Sequence, residues 1–385
     1  MFIYGFPNGI PNPITIKDGG TLQNEEYFHA LLNEDKILEN PLYFLLKDQN
    51  GSKATQELYR KSPENVKNEI FNKIKSEIKN LSLGKFTNYF IKLIIKDNDK
   101  EKIDIIYNSL KEDIIEMSSD LCGTYVLQEL IPKLDENKIE ELSNIFVNKL
   151  NQCLNFVKLV LNKNFNHVLQ LFIKKQQMEK NSIICDKIIE QFNTFSKNKY
   201  GCFIIEALLT NCNNESYEKI YKKTNENFNE LIKDEIGNYL ILFFLENKKN
   251  DEIYQNLKGN VFNFSQDKYA VNSIERAVEK GNENQRKNII EEILNSKEKI
   301  NEEDYLIYLC KHDFGNYVVQ HFLKYSDETT RNNLIEKIKS GLEINSINPN
   351  DELNDVINKI IELNRKKKKL KSLSFLEINN NYFYY

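Results

Sequence analysis

Tryptophan is absent from this 385-residue chain, and proline, cysteine and histidine are scarce. Five of the seven prolines lie before residue 64, so the remainder has few helix breakers, and abundant Leu, Ile, Lys, Glu and Asn favour helices. The six cysteines are scattered without a Cys-x-x-Cys pair, which argues against a disulfide framework or a zinc site and indicates a reducing compartment. We therefore expect a cytoplasmic location, with the nucleus as the alternative.

Long apolar runs are missing as well. None approaches the roughly 18 residues that a membrane-spanning helix needs, and the first residues lack the charged segment and apolar core of a signal peptide. The four histidines show no metal-ligand or catalytic-triad spacing, and no glycine-rich phosphate loop is present. We therefore expect no membrane partner, no cofactor, no metal and no enzymatic activity.

An excess of positive charge is also absent. The chain has 53 basic and 57 acidic residues, a net charge of −4, which counts against a protein held to nucleic acid mainly through phosphates. It does not count against one that contacts bases. The one strong basic run, residues 365–371, has two interpretations of equal weight: a solvated helix end, or a phosphate or nuclear-import contact.

What the chain does contain is a repeated phrase. Phe314-Gly-Asn-Tyr-Val-Val-Gln320 recurs in degraded copies upstream, at intervals of 33 to 45 residues. Self-similarity at such a period is typical of a solenoid, in which each unit buries its apolar face against its neighbours. The residues that align with Asn316, which we call the first position, are Ser52, Asn88, Thr124, Asn166, Cys202, Asn238, Val271 and Asn316.

The phrases divide the chain into three regions. Residues 1–40 are expected to form an N-terminal extension and the start of a cap, 41–345 eight repeats, and 346–385 a C-terminal cap with a basic and aromatic tail. Each repeat is expected to hold a helix such as Asn65–Lys79, a short turn, and the helix with the phrase. Residues are inserted after Gln128 and after Glu275; a solvated helix extension is our interpretation of the second insertion, and a partner surface is the alternative.

Helical geometry predicts that the polar residues of the phrase share one side. At 100° per residue, Asn316, Gln320 and Tyr317 project at about 0°, 40° and 100°, whereas Phe322 and Val319 project at about 240° and 300°. The apolar side must pack, so the polar trio is expected to face outward in every repeat. The ring position follows the first position and holds Lys53, Tyr89, Tyr125, His167, Phe203, Tyr239, Asn272 and Tyr317. The edge position comes four residues after the first and holds Gln56, Lys92, Gln128, Gln170, Glu206, Leu242, Glu275 and Gln320.

A flat ring with two hydrogen-bonding groups nearby suits one nucleobase, because the ring stacks on the base while the polar groups meet its edge. Packed helices lie roughly 8–10 Å apart, whereas stacked bases are roughly 3.4 Å apart. A strand that follows the repeats must therefore be stretched, which leaves gaps for rings. Each stacked base contributes about 1–3 kcal/mol, so several would bind tightly without a basic chain.

At these residues the chain resembles the Pumilio/PUF family of sequence-specific RNA-binding proteins. The matching phrases lie at 315–320 (GNYVVQ), 165–170 (FNHVLQ), 200–206 (YGCFIIE), 123–128 (GTYVLQ) and 48–53 (DQNGSK). The resemblance implies an all-α fold, a right-handed crescent-shaped α-solenoid of eight three-helix repeats with helical caps. It also implies a monomer with single-stranded RNA on the concave face and the 5′ base at the last repeat. An effector protein is expected on the convex face or near the insertion before the last repeat.

The resemblance further implies a target, 5′-UGU(G/A)UNUA, in the untranslated tails of messenger RNAs, for repression or decay. Three residues depart from the usual pattern: Val271 stands where Ser is usual, Leu242 where Gln is expected and Phe203 where Arg is more usual. The implied bases run in order from the last repeat to the first. The last four repeats imply U for Asn316, Tyr317 and Gln320; G for Val271, Asn272 and Glu275; U for Asn238, Tyr239 and Leu242; and G or A for Cys202, Phe203 and Glu206. The first four imply U for Asn166, His167 and Gln170; any base for Thr124, Tyr125 and Gln128; U for Asn88, Tyr89 and Lys92; and A for Ser52, Lys53 and Gln56.

Two alternatives remain open. A Pumilio-like ribosome-assembly factor would bind structured RNA with little base preference, and it is expected to be basic and to lose the residues that read base edges. A helical scaffold that binds protein would have no reason to hold Asn or Ser and Gln or Glu at fixed positions.

Overall fold

A computed structural model describes residues 42–247, 250–343, 354–362 and 365. The predicted N-terminal extension, the aromatic tail and the basic run after residue 365 lie outside these residues. The chain forms two compact units, Met1–Ile184 and Cys185–Tyr385, with the boundary inside the helix Met178–Glu190. The described parts of both units are helical except for one small hairpin, so the all-α prediction is confirmed.

The N-terminal unit consists of short helices and three single 3₁₀ turns. The 3₁₀ turns are Lys75–Glu77, Lys111–Asp113 and Ile131–Lys133. The α-helices before Met178 are Leu42–Lys47, Gln49–Lys61, Glu64–Ile74, Ile78–Leu83, Asn88–Lys96, Lys100–Leu110, Ile114–Ser119, Gly123–Leu130, Glu136–Asn151, Phe156–Val160 and Lys163–Lys175.

The C-terminal unit also consists of short helices. It contains the hairpin, in which Lys299–Ile300 pairs antiparallel with Glu303–Asp304. Residues 354–362 are helical and bury Val356 and Ile360. The α-helices after Glu190 are Phe192–Ser196, Lys199–Asn211, Asn214–Glu226, Phe228–Leu231, Asn238–Glu246, Asp251–Leu257, Val261–Ser265, Ala270–Lys280, Glu283–Leu294, Tyr305–Lys311, Gly315–Tyr325 and Glu328–Gly341.

One helix in each repeat carries the phrase, and we call these the ladder helices, numbered in chain order. Within each unit, every ladder helix packs against the next one. The apolar side of the phrase is buried as predicted, since Val318, Val319 and Phe322 are inaccessible to solvent. Ladder helices 1 to 4 are Gln49–Lys61, Asn88–Lys96, Gly123–Leu130 and Lys163–Lys175, and ladder helices 5 to 8 are Lys199–Asn211, Asn238–Glu246, Ala270–Lys280 and Gly315–Tyr325.

Most ladder helices are capped at their N-terminal end by a side chain four residues before the first position. Asp120 Oδ1 accepts hydrogen bonds from the backbone N–H groups of Cys122 and Gly123, both at 2.8 Å. Such a contact satisfies backbone donors that have no partner within the helix. Gly123 also lies against the preceding helix, because a Cβ there would be 2.6 Å from the carbonyl oxygen of Met117. The corresponding caps are Asp48, Asn162, Asn198, Asp234, Asp267 and His312.

Two predictions of local structure were wrong. The helix expected over Asn65–Lys79 breaks after Ile74, and the chain passes through a 3₁₀ turn before a separate short helix begins at Ile78. Ile74 and Ile78, on either side of the break, are both buried. The residues inserted after Glu275 do not extend a helix, because the helix ends at Leu294 and the hairpin follows. Its turn holds Asn301 and Glu302 at φ of 53° and 71°.

Candidate nucleic-acid interface

The ring position carries the exposed aromatic side chains. Its tyrosines and phenylalanine are between 38% and 55% exposed, and His167 is also exposed. Elsewhere in residues 45–247, 250–343 and 354–362, no tyrosine or phenylalanine is exposed. Large apolar rings at the surface are costly and usually mark binding sites. The exposed set is Tyr89, Tyr125, Phe203, Tyr239 and Tyr317.

The edge position lies next to the rings and is half-buried in all eight ladder helices. Its polar groups are therefore held by neighbouring side chains but remain open on one side. In the N-terminal unit, Lys92 shows how close the two positions are: its Nζ is 5.7 Å from the ring centre of Tyr89 and 5.2 Å from that of Tyr125 on the next ladder helix. The space between adjacent rings can thus hold a ligand group.

The first position does not face outward, and this part of the prediction was wrong. All eight first-position side chains are only 1–5% exposed. In helical projection Asn316 lies only about 60° from the buried Val319, and its side chain contacts the turn that precedes its own helix. A short side chain there cannot reach past its neighbours, so its contacts are with protein.

Asparagine at the first position joins the turn before the helix to the edge position. Asn316 Nδ2 donates to the carbonyl oxygens of His312 (2.8 Å) and Asp313 (3.0 Å), and Asn316 Oδ1 accepts from Gln320 Nε2 (3.1 Å). Asn166 Oδ1 likewise accepts from Gln170 Nε2, at 2.8 Å. The buried amide therefore fixes one N–H of the glutamine, whose carbonyl oxygen and second N–H are chemically suited to a uracil edge.

The odd-numbered ladder helices of the N-terminal unit use a hydroxyl instead. Ser52 Oγ donates to the carbonyl oxygen of Phe86 at 2.8 Å, and Thr124 Oγ1 donates to that of Asn164 at 3.0 Å. Each hydroxyl thus reaches the next repeat, whereas each asparagine bonds within its own repeat. The sequence shows the same alternation, because the first position of every even-numbered repeat holds Asn.

The second ladder helix breaks this pattern, because Lys92 replaces the glutamine. Asn88 Nδ2 still donates to the carbonyl oxygens of Gly84 and Lys85, at 2.8 and 3.1 Å. Asn88 Oδ1 is buried without a hydrogen-bond partner. A buried acceptor without a donor costs about 1–3 kcal/mol, so this repeat gives up stability to place an ammonium group between two rings.

Lys92→Gln is expected to supply the missing donor. The glutamine Nε2 would reach Asn88 Oδ1, as Gln320 reaches Asn316, and Lys92→Met is the matched control because it also removes the charge but cannot donate. Urea unfolding of the two variants should give a free energy of unfolding about 1 kcal/mol higher for Gln than for Met. Equal stabilities would show that the acceptor is not short of a donor.

Two edge positions in the C-terminal unit are carboxylates, and burial raises the pKa of both Glu206 and Glu275. His321 Nδ1 lies 4.0 Å from Glu275 Oε2 and 3.0 Å from the carbonyl oxygen of Tyr317. Leu242 leaves the sixth ladder helix without a hydrogen-bonding group at its edge position.

Other kinds of site were sought among the described residues. They contain no cluster of His, Cys, Asp and Glu suited to a metal ion. Across those same residues, the helices are too short or too polar to cross a bilayer.

A family model described as the Pumilio-family RNA binding repeat matches residues 113–144, 191–223, 260–294 and 305–339. These segments contain ladder helices 3, 5, 7 and 8. The chain is 26% identical to Pumilio homolog 12 of Arabidopsis thaliana over 80% of its length, and 28% identical to Suppressor protein MPT5 of Saccharomyces cerevisiae over 46%. It spans 51% and 21%, respectively, of those two relatives.

Solved structures show the same fold. The Puf3 RNA binding domain bound to a Cox17 RNA 3′ UTR recognition sequence (site A) matches with a TM-score of 0.71 and 26% identity, over 86% of this chain and 96% of that one. PUF-8 in complex with PBE-RNA matches with a TM-score of 0.73 and 21% identity, over 85% and 94%. The predicted PUF-type α-solenoid is confirmed, while the number of eight repeats continues to depend on the phrases.

Proposed function

We propose that this chain, a repeat protein of the Pumilio family and not an enzyme, binds single-stranded RNA with base specificity through its ring and edge positions. The single observation that carries the proposal is that the exposed tyrosines and phenylalanine of the described residues all lie at the ring position. Rings that served only the core would be buried or half-buried, as the other tyrosines and phenylalanines of residues 45–247, 250–343 and 354–362 are.

The chemistry of the edge position supports reading of individual bases. A glutamine held by the buried residue beside it offers one acceptor and one donor, which suits uracil. A glutamate, when ionised, only accepts hydrogen bonds, which suits the N–H groups on the Watson–Crick edge of guanine. In the C-terminal unit, Gln320 and Glu275 would therefore read U and G in succession.

The element we propose is 5′-UGU(G/A)UNUA, with UGU(G/A) at the C-terminal unit and UNUA at the N-terminal unit. This polarity and the location of the element in untranslated tails are taken from the family resemblance, and the Puf3 domain above was solved on a 3′ UTR sequence. We propose repression or decay of such transcripts by recruited factors as the outcome.

The two alternatives fit less well. A ribosome-assembly factor with little base preference has no use for glutamines fixed by buried amides, yet Gln170 and Gln320 are held in this way. A scaffold for a protein partner has no use for rings restricted to one position per repeat.

Selection of RNA from a random pool is the experiment that tests the proposal. We expect recovered sequences to contain UGU, with the downstream bases of the element enriched less strongly. The control pool is selected with Gln320→Ala, which should relax the first base while the second remains G. Recovery of RNA without a shared sequence would favour the ribosome-assembly alternative, and failure to recover RNA would contradict RNA binding itself.

A further inference from the structure

Charge on the ladder helices differs between the two units at one further position. We call this the distal position, eight residues after the first position, which projects at about 80° and so lies between edge and ring, one turn further along the helix. In ladder helices 1 to 4 it holds Arg60, Lys96, Pro132 and Lys174, and in ladder helices 5 to 8 it holds Thr210, Glu246, Glu279 and Lys324.

In the N-terminal unit, three of the four distal positions hold exposed cations, and one of these cations contacts an edge residue. Arg60 Nη2 lies 3.5 Å from Gln56 Oε1, the edge residue of its own helix. Lys96 Nζ lies 3.7 Å from Glu129 Oε2 on the next ladder helix, and 60% of the Lys96 side chain is exposed. Lys174 is exposed as well. These cations therefore line the surface on which the bases would lie.

The ion pair between Lys96 and Glu129 has a counterpart in the C-terminal unit, where the acidic residue is at the distal position and the basic residue is on the next ladder helix. Glu246 occupies the distal position, and its Oε1 lies 3.2 Å from Arg276 Nη1 on the next ladder helix. Arg276 also lies 3.6 Å from Glu279, whose carboxylate is 3.2 Å from Lys280. Arg276 and Lys280 are thus paired with carboxylates. Two of the four distal positions in this unit are negative, and its one distal cation, Lys324, lies with its Nζ 5.0 Å from the ring centre of Tyr325.

We propose that the distal cations of the N-terminal unit, Arg60, Lys96 and Lys174, bind phosphate groups in the 3′ half of the RNA. The C-terminal unit, which has Lys324 as its single distal cation, holds the 5′ half mainly through bases. The inference rests on the proposed function. It assigns most phosphate contacts to one unit, a difference that the net charge of −4 for the whole chain does not reveal. Each phosphate that a cation neutralises releases counterions, so it contributes to the salt dependence of binding. The N-terminal unit therefore supplies most of that dependence.

The first test is the double variant Lys96→Gln/Lys174→Gln, with binding to the proposed element measured between 50 and 200 mM salt. Two lost phosphate contacts lower the salt slope by about 1.4 for single-stranded RNA, so the variant loses about sevenfold less affinity than the unmodified protein over this range. The control is Lys73→Gln/Lys100→Gln, which removes the same charge from exposed residues on other helices of this unit. Equal slopes for the two double variants would overturn the proposal.

The second test leaves the protein unchanged and neutralises the RNA. Uncharged methylphosphonate linkages in the UNUA half are expected to flatten the salt dependence, and the same linkages in the UGU(G/A) half to change it much less. Equal effects of the two halves, or a larger effect of the 5′ half, would overturn the proposal while base-specific binding stands. Absence of binding to any of these RNAs would instead contradict the proposed function.

Discussion

Replacing Tyr239 and Tyr317 together by alanine is expected to weaken binding to a UGU-containing RNA by about 2–6 kcal/mol. Each ring would stack on a base, and stacking contributes about 1–3 kcal/mol per base. The two rings belong to the sixth and eighth ladder helices and flank the seventh, whose ring position holds Asn272. The second base therefore depends on these tyrosines for stacking on both sides. Titration of labelled RNA with the variant measures the loss.

The fold is expected to survive this change. The rings are 54% and 47% exposed, so they contribute little to the core, and exposed substitutions usually alter stability by less than about 0.5 kcal/mol. Tyr239→Phe/Tyr317→Phe keeps both rings and should keep most of the affinity. Leu154→Ala removes a fully exposed apolar side chain from a loop and should leave binding unchanged. If the Phe pair lost as much affinity as the Ala pair, the hydroxyls and not stacking would be responsible.

The register of the repeats was predictable because it depends on period and polarity alone. Once Asn316, Tyr317 and Gln320 were aligned with their counterparts, the ring position was correctly expected at the surface, and Val318, Val319 and Phe322 were correctly expected in the core. These assignments follow from helix geometry, which is the same in every repeat.

The burial of the first position was not predictable from one helix alone. A projection treats Asn316 as an outward residue, but the preceding turn of the same repeat contacts its side chain, and such a contact appears only in the folded repeat. In the N-terminal unit, the alternation of asparagine with small hydroxyl residues at the first position does indicate that these side chains bind to protein. Ser52 and Thr124 can bridge to the next repeat because their hydroxyls donate to its backbone.

The turns before the ladder helices were a second missed pattern. Asp120 and His312 look like scattered polar residues, yet both accept hydrogen bonds from the N–H groups at the start of a helix. Helix breaks such as the one after Ile74 were missed because the apolar period continues through them. The hairpin at Asn301 was missed because Asn301 and Glu302 adopt positive φ without glycine, which the sequence does not signal.

Glu275→Gln is expected to remove most of the preference for guanine at the second base. A guanine N–H bonded to a carboxylate contributes about 1.5–3 kcal/mol, and glutamine would instead turn a donor toward a donor. The preference for UGU over UUU should therefore fall by roughly 10- to 150-fold, as measured by competition between the two RNAs. Glu279→Gln is the control, because Glu279 lies one turn further along the same helix and pairs with Arg276 and Lys280. It should leave base preference unchanged.

The acidity of Glu275 separates this effect from folding. Burial raises the pKa of Glu275 even though His321 and Arg276 oppose the shift. The folded state therefore holds the proton more tightly than the unfolded state, and stability falls as pH rises from the unfolded to the folded pKa. Glutamine at position 275 is thus expected to cost no stability at neutral pH, which urea unfolding would check.

Binding of guanine needs the ionised form of Glu275. Binding to UGU should therefore weaken as pH falls through the raised pKa, whereas Glu275→Gln should lose this pH dependence. Glu206, whose pKa burial also raises, would add to it at the fourth base. An acid limb that persisted after both glutamates were replaced by glutamine would show that other groups control the pH dependence.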